Sequence, residues 1–247
     1  MKSSPEALRK RGYIDDLDIS SYKVRTSSEL LLLLQSKDAF ERSIAVRLLS
    51  HTMDNEITAA MLKLLLQEKS LYTRLEICNA LEKGDVKVAE LMIPYLGEIG
   101  DNQHKLQPGK VSRKVCYPLP RDIIARTMGR MNISVLNVLL SVLEYDDVDK
   151  MYEAIDAIGY MCFYNRIPDE LSVINSLHNC MKKYETNTVI RWKTARCLSA
   201  FRCNESIEVL KRMYNQEKES AIREEIKRSL SIIEKNESGR YARKEQL

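Results

Sequence analysis

The chain has 247 residues, of which 44% are hydrophobic and 30% are charged, and its 39 basic and 35 acidic side chains give a net charge of +4. This composition excludes a generally disordered chain, and the charge excess is too small to indicate nucleic acid as the partner. The longest aliphatic run, residues 30–34, is far shorter than a membrane span, and the six cysteines include no Cys-x-x-Cys pair. We therefore expect a cytoplasmic protein with reduced thiols.

The N-terminal part of the chain leads into a first helix. Residues 1–25 are polar and without clear periodicity, which indicates either a tail or a packed cap. Thr26 and Glu29 then have the spacing of a capping box, which predicts a helix start. The leucines at 30–34 are apolar nearly all round, so we expect neighbours to cover that helix on more than one side.

From residue 38 onward, apolar residues at helical spacing predict helices in pairs, separated by Asn, Asp, Gly and Pro turn signals. The predicted pairs are 38–52 with 55–68, 70–83 with 85–98, 119–131 with 133–145, 148–164 with 168–184, and 188–202 with 205–217, followed by a last helix over 220–235. Pro94 falls inside one of these helices and predicts a kink or an early end there. Residues 237–247 are predicted to be a C-terminal tail.

The helical pairs contain a sequence pattern that recurs about every thirty to forty residues. Residues 190–199 resemble residues 222–231, and residues 41–50 resemble residues 73–82, in both cases 32 residues apart. Such a period predicts an all-α solenoid over residues 26–236, because one hairpin cannot bury its own apolar face.

One interruption, the loop at 99–118, breaks this period. Its basic residues are Lys105, Lys110, Arg113 and Lys114. A loop of this length in a compact array is typical either of a tolerated surface insertion or of a ligand-contacting segment. The sequence leaves both interpretations open.

The repeated units resemble the HEAT-repeat family, especially its short bacterial repeats of the phycobilin-lyase type. The shared pattern is an aliphatic residue followed by Arg, small or aliphatic residues in mid-helix, and a small-Leu-Gly exit, matched here by Gly129 and Gly159. Five arginines occupy the Arg position: Arg42, Arg74, Arg121, Arg191 and Arg223. The resemblance covers about residues 38–235. It implies a right-handed α-solenoid of about five to six hairpins, and a scaffold that binds proteins on a concave surface lined by the second helices.

We interpret the five arginines as a structural ladder that hydrogen-bonds turn carbonyls or acids between adjacent repeats, since a guanidinium offers five donors in a rigid fork. A ligand-binding ladder is the alternative. Trp192, the only tryptophan, is interpreted as a packing residue rather than an interface anchor.

The sequence offers no set of residues for catalysis or metal binding. His178 and Cys180 are two residues apart and fall on different helix faces, so they make a poor start to a metal site. There is no Gly-rich phosphate loop and no hydrolase or metalloprotease motif. We therefore expect no catalytic residue, no metal and no cofactor, and a protein that is not an enzyme.

The preferred hypothesis is a non-enzymatic scaffold that binds another protein through the second-helix surface and the 99–118 loop. The candidate partner-binding residues are Lys63, Glu90, Lys105, Lys110, Arg113, Lys114, Lys182, Lys183, Lys211 and Arg212.

Two other functions remain as alternatives. One is a HEAT-like cradle for the nucleic-acid backbone, suggested by the basic residues of the loop. The other is a HEAT-like DNA glycosylase, whose aromatic wall and carboxylate would come from Tyr117 and Asp122. The apolar flank of the 220–235 helix also leaves homodimerisation open.

Overall fold

A computed structural model describes the backbone of residues 4–112 and 114–244, and the side chains of these residues as far as Lys235. Within this part of the chain the protein is all-α and contains no strand, which confirms the all-α part of the predicted fold class. The chain forms two compact units, Met1–Ile99 (unit 1) and Gly100–Leu247 (unit 2), so the boundary falls at the start of the 99–118 loop.

The described part of unit 1 contains seven α-helices. They are α1 (Pro5–Arg9), α2 (Asp16–Ile19), α3 (Ser27–Leu33), α4 (Ala39–Leu49), α5 (Asn55–Gln67), α6 (Leu71–Glu82) and α7 (Val86–Met92), with 3-10 turns at Ser20–Tyr22 and Ile93–Tyr95. Helix α4 packs against α6, and α5 against α7. The first helix of one pair therefore lies on the first helix of the next, and second helices lie on second helices.

The N-terminal segment packs as a cap on unit 1. Gly12 has a φ of +83°, and a Cβ at this position would lie 2.3 Å from Thr73 Oγ1. Ser43 and Thr73, both buried beneath it, share a hydrogen bond of 2.9 Å. Ile14 and Ile19 are also buried. Gly12, Ile14 and Ile19 of this segment are therefore packed against the rest of unit 1.

Helix α3 confirms one prediction and corrects another. Thr26 and Glu29 form the predicted capping box, with each side chain accepting a hydrogen bond from the backbone of the other. Leu30 and Leu34 are buried, but Leu32 is 69% exposed, so the expected cover on more than one side is wrong. Because α3 packs mainly against α4, only one stripe of its leucines is buried.

Pro94 ends its helix as predicted. Helix α7 stops at Met92, and a 3-10 turn over Ile93–Tyr95 contains the proline. The missing N–H of proline cannot continue the α-helical hydrogen-bond ladder, which accounts for the early end.

The described part of unit 2 also contains seven α-helices. They are α8 (Ile123–Met128), α9 (Leu136–Val142), α10 (Val148–Tyr164), α11 (Glu170–Lys183), α12 (Thr188–Cys197), α13 (Asn204–Gln216) and α14 (Ser220–Lys244), with 3-10 turns at Ile133–Val135 and Leu198–Ala200. Helix α10 packs against α12, α12 against α14, and α11 against α13. None of the helices in the described residues has the length and apolar character needed to cross a bilayer.

Two helix limits in unit 2 differ from the prediction. Helix α8 begins at Ile123 rather than at 119, because the residue before Pro120 is disfavoured in helical conformation and Asp122 supplies the cap, accepting from Ala125 N–H at 2.7 Å. Helix α14 continues to Lys244, beyond its predicted end at 235.

The apolar flank of α14 is covered within unit 2. Ile222, Ile226 and Ile233 are fully buried, and α14 packs against α12 and α13. A second copy of the chain is therefore not needed to cover this flank.

Arg42 and Arg191 hold equivalent ion pairs in the two units. Arg42 Nε and Nη2 donate to Glu68 at 2.7 and 2.8 Å, and Arg191 donates through the same atoms to Glu217 at 2.8 and 3.2 Å. Each Glu lies in the turn between one helical pair and the next, so the fork ties that turn to the first helix. Burial alone would raise the pKa of both glutamates. The hydrogen bonds from the arginine and from backbone N–H groups outweigh this effect, so both pKa values are lowered. Arg74 is half-buried on α6.

Ladder arginines also donate a hydrogen bond to the backbone carbonyl six residues earlier, and this bond shows that one member of the predicted ladder is wrong. Arg223 Nη1 donates to Glu217 O at 3.0 Å, and Arg126 Nε donates to Pro120 O at 2.9 Å. In α8 the arginine that makes this carbonyl bond is therefore Arg126 and not the predicted Arg121, which is exposed. The difference follows from the late start of α8, which leaves Arg121 in the preceding loop.

Candidate functional site

Helices α10 and α12 bring four charged side chains together in the interior of unit 2. This buried charge cluster consists of Glu153, Asp156, Lys193 and Arg196, none of which is more than 6% exposed. The two acids are three residues apart on α10, and the two bases are three residues apart on α12. Each pair therefore lies on one face of its helix, and the packing of α10 against α12 makes the faces meet.

Lys193 is the centre of the cluster, and its side chain is completely buried. Its Nζ lies 2.9 Å from each of three acceptors, namely Glu153 Oε1, Asp156 Oδ2 and the carbonyl of Tyr152. An ammonium group has three donors, so all of its hydrogen bonds are made. Two carboxylates thus offset the cost of removing this charge from water.

Arg196 links the cluster to Trp192. Its Nη2 donates to Asp156 Oδ1 at 2.8 Å, and its guanidinium carbon lies 4.1 Å from the centroid of the Trp192 ring. Burial would raise the pKa of Asp156, but Arg196 and Lys193 outweigh it, so the pKa is lowered and the carboxylate is ionised. Arg196 Nε is buried and has no hydrogen-bond partner among the described residues.

Glu153 is less well compensated than Asp156. Its Oε2 is buried and has no partner in the described part of the chain. Burial raises the pKa of this carboxyl to about 7, although the neighbouring Lys193 acts in the opposite direction. The carboxyl therefore exchanges its proton near neutral pH.

This raised pKa predicts a pH-dependent stability that Glu153→Gln removes. Because the folded-state pKa lies above the unfolded value, the folded state holds the proton more tightly. The corresponding stability is full below about pH 4.5 and is lost as pH rises through 7. We expect the stability of wild type relative to the Gln variant to fall by about 1–3 kcal/mol between pH 5 and 8.

Urea unfolding of both proteins across this range measures that difference. His104 has the opposite effect, because burial lowers its pKa from 6.5 to about 4 and its contribution to stability therefore rises with pH between these two values. Comparing the wild type with the Gln variant cancels this contribution, since both proteins contain His104. A stability difference that does not change with pH would contradict the prediction.

The 99–118 loop is fastened to unit 2 by specific contacts. The His104 ring lies edge-on to Trp192 with ring centroids 5.0 Å apart, and Gln107 accepts a hydrogen bond from Thr188 Oγ1 at 2.8 Å. Arg228 on α14 donates to two loop carbonyls, those of Lys114 at 2.9 Å and Cys116 at 3.2 Å. The loop is thus packed against α12 and α14 rather than simply appended to the surface.

Tyr117 anchors the end of this loop on α10. Its side chain is 3% exposed, and burial raises its pKa well above the usual value. A Cβ at Gly159 would lie 1.9 Å from the Tyr117 hydroxyl oxygen and 2.3 Å from its Cζ. The glycine that matches the repeat pattern therefore has a local packing role, since it makes room for a loop residue.

A cavity of about 270 Å³ lies beneath the loop. Its lining includes His104, Lys110, Arg121, Trp192, Arg196 and Arg228. The loop thus forms one wall of the cavity, and α12 and α14 form another.

A larger groove of about 850 Å³ lies between α11 and α13. Met181, Val209 and Met213 supply apolar atoms, whereas the exposed Lys182 and Arg212 are cationic. These are the second helices of their predicted pairs, so the groove coincides with the surface that the sequence predicts for partner binding.

The pKa of His178 is affected by the charged residues of this groove. Burial lowers the pKa of its imidazole, and the charges of Arg212 and Lys182 lower it further. The imidazole is therefore neutral at pH 7, and its Nδ1 is buried without a partner among the described residues.

The other candidate residues of α11 and α13 lie outside this groove. Lys183 is exposed and pairs with Asp146 at 2.7 Å. Lys211 is exposed on α13 but does not line the groove.

The remaining candidates are spread over the two units. Lys63 on α5 and Glu90 on α7 are exposed in unit 1. Three exposed lysines lie in the loop: Lys105, Lys110 and Lys114. Arg113 lies outside the described residues.

Trp192 has the packing role predicted from the sequence, since it is 2% exposed. Its Nε1 also donates to Glu225 Oε2 at 3.4 Å, and Arg228 Nη1 donates to the other oxygen of Glu225 at 2.7 Å. Trp192 therefore connects the buried charge cluster, through Glu225 and Arg228, to the loop.

The buried thiols are poor nucleophiles. Burial raises the pKa of Cys162 to about 12 and that of Cys197 well above its usual value. Cys78 is only half-buried. In the part of the chain that the structure describes, no three His, Cys, Asp or Glu side chains are grouped to hold a metal ion.

The residues named for a glycosylase site have structural roles. Asp122 is fully buried and caps α8, and it also accepts a hydrogen bond of 3.1 Å from Gln103. Tyr117 packs on Gly159.

The sequence interpretation missed the buried charge cluster. A signal was present, because Glu153 and Asp156 interrupt an apolar stretch of α10, and Lys193 and Arg196 do so in α12. Charged residues inside an otherwise apolar helix face suggest a buried pair.

Comparisons with known proteins add little to this geometry. The sequence matches no family model and no curated protein. A solved structure to which the chain is similar is the crystal structure of an engineered protein, with 16% sequence identity and a TM-score of 0.38, over 89% of this chain and 99% of that one. A similarity at this level carries no inference about fold or function.

Proposed function

We propose that this protein is a non-enzymatic cytoplasmic scaffold of the HEAT-like α-solenoid type, which binds an acidic segment of another protein in the groove between α11 and α13. Within each unit, support comes from the order of packing, α4 on α6 and α10 on α12. The forks of Arg42 and Arg191 add support, since they stabilise equivalent turns.

The groove is the observation that carries this proposal. Lys182 and Arg212 come from different helices, yet both lie close enough to His178 to lower its pKa. The groove lining also contains Glu185 and Glu219, as well as Lys218 and the Arg191–Glu217 ion pair. The lining therefore retains a small positive excess, which favours an anionic partner. Met181 and Met213 add flexible apolar surface, which adapts to the side chains of a bound segment.

The size of the groove suits a peptide segment. A volume of about 850 Å³ lies within the usual range of pockets that enclose a compact ligand or a few side chains. Two walls of helix favour an amphipathic segment with apolar side chains towards the floor and carboxylates towards the rim.

An array of acidic amphipathic peptides tests this proposal. We expect the full chain to bind members with Leu or Met on one face and Glu on the other, and the affinity to fall with salt. Reversing both charges, with Lys182→Glu and Arg212→Glu, should weaken binding by roughly tenfold or more. The matched control is Lys211→Glu, an exposed charge reversal on α13 outside the groove, which should change the affinity little.

Two results would contradict the proposal. One is no binding to any acidic peptide at low salt, and the other is equal binding by the charge-reversed and control variants.

Nucleic-acid binding is the second candidate, favoured by the exposed loop lysines Lys105, Lys110 and Lys114. Binding to the phosphate backbone releases counterions and therefore weakens steeply with salt. Titration of a DNA duplex at two salt concentrations decides the matter. Duplex binding that the three Lys→Gln substitutions abolish would favour this function over protein binding.

A further inference from the structure

We propose that the cavity beneath the 99–118 loop is a binding site for a small organic anion, either a carboxylate or a phosphate ester. This site is separate from the groove between α11 and α13, and the inference does not depend on the protein-binding proposal.

The charges that line the cavity are predominantly positive. Its basic residues are Lys110, Arg121, Arg196 and Arg228. The two carboxylates in the lining already have cationic partners, since Asp156 pairs with Lys193 and Arg196, and Glu225 pairs with Arg228 at 2.7 Å.

Lys110 and Arg121 contribute positive charge that no carboxylate of the described residues neutralises through an ion pair. Both are exposed, and neither forms an ion pair with a described residue. They therefore present an excess of positive charge at a cavity that also has a buried polar wall. Such an arrangement concentrates anions from solution.

Two of the residues that line the cavity, His104 and Arg196, each have a buried polar atom behind the cavity wall. Arg196 Nε and His104 Nδ1 have no partner among the described residues. Buried polar atoms in folded proteins are nearly always paired, either with protein groups or with ordered water. Arg196 is only 6% exposed, and its ion pair with Asp156 and its stacking on Trp192 hold it in place.

The neutral state of His104 is consistent with a ligand contact. Burial lowers the pKa of this imidazole to about 4, so at pH 7 it adds a hydrogen-bonding atom without a further charge. The Arg196 guanidinium would attract the anion by its charge, and the neutral imidazole would add a polar surface without a competing charge.

The volume limits the size of the ligand. A cavity of about 270 Å³ corresponds to the space of about nine water molecules in the liquid. It therefore fits a compound of on the order of ten non-hydrogen atoms, near the lower limit for ligand pockets. Glycerol 3-phosphate and succinate have suitable sizes and represent the two chemical classes.

Trp192 provides the measurement, because it is the only tryptophan and lines this cavity. The full chain is titrated with glycerol 3-phosphate, with succinate and with neutral glycerol while its fluorescence is recorded. We expect a saturable change with at least one of the two anions and none with glycerol. The anion that binds identifies the class of ligand.

The variants separate the cavity from other basic surfaces. Lys110→Gln with Arg121→Gln should raise the dissociation constant by about tenfold or more. Lys105→Gln is the matched control, an exposed loop lysine that does not line the cavity, and it should bind like wild type. The charge-reversed groove variant, Lys182→Glu with Arg212→Glu, should also bind like wild type. All of these substitutions are at exposed positions, and equal thermal midpoints verify that the variants fold.

Three results would overturn the proposal. They are no fluorescence change with either anion at millimolar concentration, an equal response to glycerol, and unchanged affinity in the Lys110 and Arg121 double variant. A loss of anion binding in the groove variant alone would also overturn it, since it would place the anion between α11 and α13.

Discussion

Lys193→Met is expected to lower the free energy of unfolding by about 3–5 kcal/mol. The substitution preserves most of the side-chain volume but removes the ammonium group that Glu153 and Asp156 share. Asp156 retains Arg196, whereas Glu153 loses the cation that offsets its burial. The cost therefore comes mainly from a carboxyl left buried without compensation, and much less from lost packing.

Urea unfolding at pH 7 measures this effect, with Lys211→Met as the matched control. Lys211 is exposed, so its loss should leave the stability almost unchanged. Adding Glu153→Gln to Lys193→Met should restore part of the loss, because the buried amide is neutral without having to take up a proton. A loss smaller than about 1 kcal/mol in Lys193→Met would show that the ion pairs contribute no more than a surface contact.

Gly159→Ala is expected to destabilise the protein by about 1–3 kcal/mol, the usual cost of overpacking. Alanine in the middle of a helix normally stabilises it by about 1 kcal/mol relative to glycine. Here the added Cβ would lie 1.9 Å from the Tyr117 hydroxyl oxygen, and the rigid buried ring cannot move without moving the loop. A loss of stability in Gly159→Ala therefore indicates that the loop is packed on α10, whereas a gain indicates that it is not.

Thermal unfolding and limited proteolysis of the 99–118 loop both test this prediction. The loop should be cleaved faster in Gly159→Ala than in wild type, since its anchor is displaced. Gly109→Ala is the matched control within the loop, because a Cβ there meets no atom within 4 Å and it should change neither measurement. Raised stability in Gly159→Ala would mean that Tyr117 does not pack against α10 as described.

Local patterns were sufficient to predict many of the helices. Thr26 with Glu29 specified a helix start, Pro94 an early end, and the apolar periodicity located α10 and α11 to within a few residues. These features depend on interactions within a few residues of the chain, such as backbone capping and the missing N–H of proline. Sequence neighbours suffice to establish them.

The errors occurred where distant residues decide the outcome. Arg121 was aligned with the ladder, but the late start of α8 gives that place to Arg126. Leu32 belongs to an apolar run, yet it is exposed because α3 has a single main neighbour. Neither outcome follows from the residue or from its immediate surroundings.

The sequence by itself determined that the chain is helical, where many of the helices lie, and which segment interrupts their period. Only the tertiary structure decided that Glu153, Asp156, Lys193 and Arg196 form one cluster, and that the loop closes a cavity beside it. The physical reason is the range of the interactions. Helix formation depends on residues three or four apart, whereas these charges are about forty residues apart and meet only because α10 packs on α12.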